Sequence, residues 1–400
     1  MVLTFLFTLI GCCLFAVYGV LIDYYRRAWA AIPEFDAYGK TGSSDRTGHT
    51  HISVLIPVRD EAANIGPCIE SLFQQSYLKS LYEVIVIDDH STDATPAIVA
   101  GLQGRATNLI YTRLDDLSIA HNAFKKLAIQ TGIGIASGEL IVTTDADCLF
   151  HPDWLSTLAA FYEEKGAKFI AAPVRMGGAA HPVTIPAAHA HLTLLAIFQI
   201  LDFITLQGIT GASVYRRSHS MCNGANLAYE KGAFHEVGGF RGIDTIPSGD
   251  DMLLMHKIFT KYPDRVFFLK STAAVVSTRP EPTLGRFIHQ RVRWASKADR
   301  YGDKRIFRVL LLVYIVNLMF LILPVAACWN TWWLLLLVIG LTTKTMVEYP
   351  FVYLVARFFD QQALMRWFPL LQPFHILYTV VIGWMGKFSS YRWKGRKITK

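Results

Sequence analysis

No two of the six cysteines, at 12, 13, 68, 148, 222 and 328, stand at metal-ligand spacing, and no pairing framework is visible. That argues against a zinc-held or disulfide-held fold and fits a reduced, cytosolic face. Charge is scarce as well: charged residues make up 18% of the 400 positions, against 52% hydrophobic. An ordinary soluble globule is excluded by that ratio, so membrane spans come first. Residues 2–22 carry no formal charge, and no basic segment precedes the apolar run. Leu9-Ile10-Gly11-Cys12 is therefore a poor lipoprotein cleavage box, and a cleaved signal peptide is disfavoured. There is no internal repeat.

What charge there is has a place. The formal net charge is +8, and it gathers beside apolar segments, in Tyr24-Tyr25-Arg26-Arg27 and in the tail from Lys387 to Lys400. A nucleic-acid binder would carry it as a patch within a folded domain. Its position here points to an anionic membrane surface. Residues 1–25 are long enough to anchor in a bilayer, and the basic pair places the following chain in the cytosol.

Residues 26–50 read as a linker, polar and rich in Gly and Ser from Pro33 on. From 51 to 300 the texture is α/β. Apolar strands are expected at 51–57, 83–87, 108–111 and 140–143, with helices at 65–75, 96–102 and 122–135 between them. Such alternation implies a mostly parallel, Rossmann-like sheet with crossovers, whose ligands gather at the carboxyl ends of the strands. Residues 301–400 hold two to three further spans, expected at 306–327, 332–356 and 368–386. Lys344 and Glu348 stand four apart on one helical face and can neutralise each other. Four full crossings would put the basic tail outside, so either the last segment lies in the interface or re-enters, which is the preferred reading, or the tail breaks the rule.

The acidic clusters fall at strand ends or in a Gly-rich loop. Asp88-Asp89-His90-Ser91-Thr92-Asp93 also reads as a turn capping the next helix. Asp145-Ala146-Asp147 is more telling: two carboxylates one residue apart, just past a buried strand, repel each other unless a cation lies between them. Mg²⁺ or Mn²⁺ suits such oxygen pairs and completes its shell with phosphate oxygens. Asp153 is the better cap for the helix that follows. In Ser248-Gly249-Asp250-Asp251, either Asp can cap a helix, and one beside the other can have a raised pKa and act as a general base. Gln290, Arg293 and Trp294 share a helical face, offering an amide, a donor fork for phosphate and an indole for a sugar. A membrane-interface helix also favours Trp and Arg.

The order Asp89, Asp145-Ala-Asp147, Asp250-Asp251 and Gln290-Arg-Val-Arg293-Trp294 resembles the "D, DxD, D, QxxRW" pattern of the membrane-associated, inverting type-A glycosyltransferases of family two. Cellulose, chitin, hyaluronan and poly-N-acetylglucosamine synthases and ceramide glucosyltransferases share it. Ile56-Pro57-Val58-Arg59-Asp60-Glu61 is similar to the family's "P-x-x-N-E" strand end, with Asp60 in place of Asn. Asn223-Gly224-Ala225-Asn226 is similar to its "G-x-N" loop. The resemblance implies that Glu61 and Asp89 contact uridine. It implies that Asp145 and Asp147 hold ribose, diphosphate and metal, Asp147 being the direct ligand. Asp251 would deprotonate the acceptor, Asp250 standing where Glu is more usual. Gln290 and Arg293 would bind the diphosphate, with Trp294 and Asn226 at the acceptor. The partners implied are a UDP-sugar and a lipid or glycan acceptor, with no nucleic acid, at a bacterial inner membrane.

Three readings follow: single sugar transfer to a membrane lipid, processive polymer synthesis, or a non-catalytic membrane scaffold keeping the fold. The run 186–209 is either an interfacial helix that admits a lipid or a buried core helix.

Overall fold

Two seven-residue strands that are buried on both faces lie at the centre of the computed structural model. It describes residues 2–37, 49–115, 123–177, 192–246, 248–297, 302–393 and 396–398. In chain order, α1 (Val2–Ala31) is followed by β1 (Ile52–Val58), α2 (Ile65–Phe73), β2 (Tyr82–Asp88), α3 (Thr95–Gln103), β3 (Leu109–Arg113), α4 (Phe124–Ile135) and β4 (Leu140–Thr143). Then come β5 (Leu149–Phe150), α5 (Trp154–Lys165), β6 (Phe169–Ala171), β7 (Val174–Met176), α6 (Leu194–Tyr215), β8 (Leu227–Glu230), α7 (Lys231–Glu236) and α8 (Met252–Lys261). The chain closes with β9 (Val266–Phe268), β10 (Val276–Thr278), α9 (Leu284–Ala295), α10 (Lys304–Ala327), α11 (Trp332–Phe358), α12 (Phe368–Phe388), β11 (Tyr391–Trp393) and β12 (Arg396–Ile398).

The main sheet has the order β3-β2-β1-β4-β8-β6-β9. Strands β3, β2, β1 and β4 pair in parallel, and β8 runs antiparallel to both β4 and β6. Their near-continuous apolar runs are what a sheet covered on both faces requires. A small sheet, β5-β10-β7, lies beside it. The expected strands at 83–87 and 140–143 fall within β2 and on β4. Asp153 does stand at the N-cap of α5, but its carboxylate accepts from Ser76 Oγ at 2.7 Å instead of capping the helix. The linker residues 38–48, and 186–191 of the apolar run, lie outside the described residues.

Helix α1 continues nine residues past Ile22. Asp23 pairs with Arg26 at 2.7 Å and with Arg27 at 2.6 Å, so the charges that were read as ending the span are matched along one helical face. Its near end, Trp29, packs on Phe268 of the sheet and Phe358 of α11, and near its far end Phe7 meets Trp333. Between them Lys344 Nζ donates to Glu348 at 2.5 Å, as expected, and to Gln372 Oε1 at 3.0 Å. Tyr18 also donates to Glu348.

Among the described residues, five helices are long and apolar enough to cross a membrane, α6 among them. Helix α6 is mostly buried, packed between the sheet side and helices α1 and α11. Gly208 and Gly211 allow that approach: a Cβ at Gly208 would come within 2.5 Å of Val355, and one at Gly211 within 2.7 Å of Trp29. Helix α12 abuts the α/β block at both ends. Gln361, one short 3-10 helix ahead of it, donates to Met176 O at 2.8 Å, and Gly386 at its far end is so close to Ala295 that an added Cβ would come within 2.5 Å.

Candidate active site

Strands β1, β2 and β4 end in loops that open onto one cavity of about 1810 Å³. The first two loops are stitched together. Asp60 and His90 have φ of 50° and 57°, a left-handed conformation that Asp tolerates nearly as well as Asn, which accounts for the replacement at Asp60. The Asp60 amide donates to Ser91 Oγ at 3.0 Å, and the Thr92 amide returns to Asp60 Oδ1 at 2.8 Å. The adjacent pair Asp88-Asp89 divides. Asp88 is buried and accepts from the Ser91 amide and Tyr111 hydroxyl, at 2.9 and 2.8 Å, which makes it the turn cap. Asp89 lines the cavity beside Glu61, and Arg59 holds its carbonyl at 2.6 Å.

After β4, Asp145 and Asp147 both line the cavity. Asp147 is half-buried and accepts from Thr278 Oγ1 at 2.9 Å. Burial first, and then the neighbouring Asp145, push its carboxyl up to about 6. A cation between the two would reverse that. Among the described residues no three His, Cys, Asp or Glu side chains form a metal cage. Two carboxylates suffice when phosphate oxygens complete the shell, so the pair fits Mg²⁺ or Mn²⁺ held jointly with a diphosphate.

One positive charge beside Asp145 belongs to the chain itself. Lys125, at the start of α4, puts Nζ 2.7 Å from Asp145 Oδ1 and 3.3 Å from Asp250 Oδ2. Burial opposes its charge, but Asp145 and Asp250 more than compensate and raise its pKa. The next residue turns elsewhere. Lys126 Nζ donates to the carbonyls of Ile243, Ile246 and Ser248 at 2.6, 2.7 and 2.9 Å, fixing the stretch before Asp250. Gly249, with φ of 84°, makes the last turn.

Asp250 and Asp251 then reach the cavity with different surroundings. Burial would raise the pKa of Asp250, but Lys125, Lys297 and Lys126 together lower it. That corrects the expectation that two adjacent carboxylates lift each other. Asp251 Oδ1 accepts from the Met252 amide at 2.7 Å as the N-cap of α8, with Lys297 at 3.6 Å. Cap and candidate base are the same group.

Gln290, Arg293 and Trp294 of α9 all line the cavity, with Gln290 Nε2 donating to Glu281 at 3.2 Å. Asn226 is not brought there. It is fully buried, donates to Pro173 O and Ala274 O at 2.8 Å each, and accepts from Trp154 Nε1 at 3.1 Å. Its amide ties three segments behind the site. In that loop Gly224 faces the site instead: an added Cβ would lie 3.2 Å from Lys125 Nζ and 3.3 Å from Asp250 Oδ2. Sequence reasoning missed Lys125, Lys297 and Thr278, and took Asn226 in place of Gly224 as the residue of its loop that faces the site. The first two read as ordinary surface lysines, and no spacing marks them.

Residues 53–237 match the family model described as glycosyl transferase family 2. Glycosyltransferase AglE of Haloferax volcanii is 38% identical over 104 residues, 26% of this chain and 33% of that protein. Dodecaprenyl-phosphate galacturonate synthase of Rhizobium johnstonii is 28% identical over 129 residues, 31% and 36% of the two chains. The chain thus spans about a third of the length of the curated relatives it matches. Among solved structures, the mannosyltransferase PcManGT of Pyrobaculum calidifontis, in complex with GDP-Man and Mn²⁺, is similar with a TM-score of 0.57 and 20% identity, covering 94% of this chain and 98% of that one. That likeness is one of fold. With the strand order, the acidic strand ends and the matched model together, residues 53–237 form a glycosyl transferase family 2 domain.

Proposed function

We propose that the protein is a membrane-bound, inverting glycosyltransferase that moves a sugar from a UDP-sugar to a membrane lipid or a growing glycan. One observation carries this reading: a single cavity is lined by Glu61, Asp89, Asp145, Asp147, Asp250, Asp251, Gln290, Arg293 and Trp294, and also by apolar residues of α10 and α12.

In this reading Glu61 and Asp89 hold the nucleoside, while Gln290 and Arg293 meet the diphosphate with an amide and a charged fork. Asp145 and Asp147 hold a divalent ion, which supplies charge to a departing diphosphate. Asp251 takes the proton of the acceptor hydroxyl. Asp250, held anionic by lysines, keeps Lys125 in place. Trp294 borders the acceptor. Base and leaving group on opposite faces of the donor sugar make the attack in line and invert its anomeric centre.

Helices α1, α10 and α11 are proposed as the crossings. Contact of both ends of α12 with the catalytic block supports an interfacial or re-entrant course for that helix. The basic tail then stays on the block's side, cytosolic as the basic pair near the end of α1 suggests. A bacterial inner membrane remains the proposed location.

The test is to incubate the purified chain with a panel of UDP-sugars and total membrane lipid and identify the product by mass. In parallel, UDP is titrated calorimetrically with Mn²⁺ and with EDTA. Product formation and weak binding in EDTA are expected. Equal affinities would remove the metal, and neither product nor nucleotide binding would remove the transferase.

A further inference from the structure

The cavity continues past the catalytic block into the space between α10 and α12. Trp384 and Phe388 line it and are also 58% and 66% exposed on the outside of the molecule, and Leu310 and Leu311 do the same on α10. Wall residues that are also on the apolar outer surface mark a side opening. Gly383 lets α12 and α10 meet at one edge of it: a Cβ there would come within 2.8 Å of the Tyr314 ring.

On the inner wall of the same cavity stands a buried polar group that the donor site does not use. Asp202 of α6 and Arg291 of α9 meet at 3.0 Å, and the arginine side chain is 2% exposed. His375 of α12 puts Nε2 3.7 Å from the other carboxylate oxygen. The guanidinium lies over the Trp294 ring at 4.2 Å. Arg291 Nη2 and Asp202 Oδ2 face each other, the Tyr378 hydroxyl also meets the carboxylate, and among the described residues Arg291 Nε and Nη1 and His375 Nδ1 have no hydrogen-bond partner. Three unmatched polar atoms in one cluster are costly unless a ligand or water completes them.

Their chemistry narrows the ligand. A carboxylate and a guanidinium cancel in charge, so the wall offers an acceptor and donors without a net field. A phosphate there would have Asp202 against it. A hydroxyl satisfies both, donating to Asp202 and accepting from Arg291. We infer that the acceptor is an uncharged lipid whose headgroup bears hydroxyls, entering between α10 and α12 and held by Asp202, Arg291 and His375 beside Trp294. This rests on the transferase reading above. In the transfer, the reacting hydroxyl oxygen forms the new glycosidic bond and its proton passes to Asp251. UDP departs with the electron pair of the broken bond.

The test uses the full chain in phosphatidylcholine nanodiscs containing either dioleoylglycerol and ceramide or undecaprenyl phosphate, with UDP-sugars radiolabelled in the sugar. Labelled product from the neutral lipids is expected. In Asp202→Asn and Arg291→Lys, KM for the lipid should rise at least about fivefold, with KM for the donor within about twofold. His375→Gln, at a half-buried position, serves if those two fail to accumulate. Transfer to undecaprenyl phosphate alone would overturn the inference. So would donor binding or hydrolysis with transfer to neither class, or variants that alter only protein yield. No donor binding at all would strike the transferase reading itself, and the inference with it.

Discussion

Lys125 Nζ lies 2.7 Å from Asp145 Oδ1, so one side chain of α4 partly neutralises the acidic pair that follows β4. A lysine beside a cation site raises the concentration of metal needed to fill it. Lys125→Met should therefore lower the half-saturating Mn²⁺ concentration severalfold, while turnover falls about tenfold or more because Asp145 and Asp250 lose their shared partner. Metal-dependent fluorescence quenching and a rate assay read the two effects separately. A weaker Mn²⁺ affinity would mean that Lys125 organises the site more than it competes there.

Asp251→Asn should leave UDP binding nearly intact and cut turnover at least about a hundredfold, the scale of a lost general base. Asparagine caps helices as well as aspartate does, so α8 should keep its start. Asp250→Asn should cost less, because a carboxylate held down by three lysines is the poorer base. A reversed ranking would reassign the base.

Asn226→Ala removes an amide with three buried hydrogen bonds. The expected result is a loss of stability of about 1–3 kcal/mol for each group left unmatched, seen as a lower Tm, with KM for donor and acceptor unchanged. A selective rise in acceptor KM would return Asn226 to the acceptor site.

His219 accepts or donates a 2.8 Å hydrogen bond with Tyr25 of α1, and burial pulls its imidazole down to about 4, against the opposing pull of Asp303. The unfolded chain titrates near the ordinary value, so between the two values it holds more protons than the folded one. Stability from this residue is full above the unfolded value and falls as pH drops toward 4. Detergent-solubilised protein should lose Tm between about pH 7.5 and about pH 5, and His219→Gln should flatten that slope. An unchanged slope in the variant would assign the acid sensitivity elsewhere.

The parallel strands were legible because each is a short apolar run closed by an acidic or polar turn, and burial on both faces leaves no other pattern. Strands β5, β6, β7 and β10 have two or three residues each, too few to show a period. The acidic strand ends were legible for the same reason as the strands. What escaped was set by distant partners. Lys125 has meaning only beside Asp145 and Asp250, and Arg291, inside a recognisable motif, only beside Asp202. Asn226 sits in a loop whose glycine, not its amide, faces the cavity. The end of α1 was placed too early because Asp23 balances the arginines within the helix.

The hydrogen bond from Tyr18 to Glu348 joins positions 330 apart. At about 5–20 residues per second of synthesis, α1 has been made for tens of seconds before the ribosome has made its partner. Through that interval the Tyr18 hydroxyl lacks its Glu348 partner, and the glycine face of α6 has nothing from α11 against it. The α/β block can close its sheet before α11 is made, but its packing against α11 must wait for that helix. An insertase or chaperone that shelters α1 until α11 arrives would act at that stage, and a ribosome stalled after β9 but before α11 would leave a finished sheet without its floor.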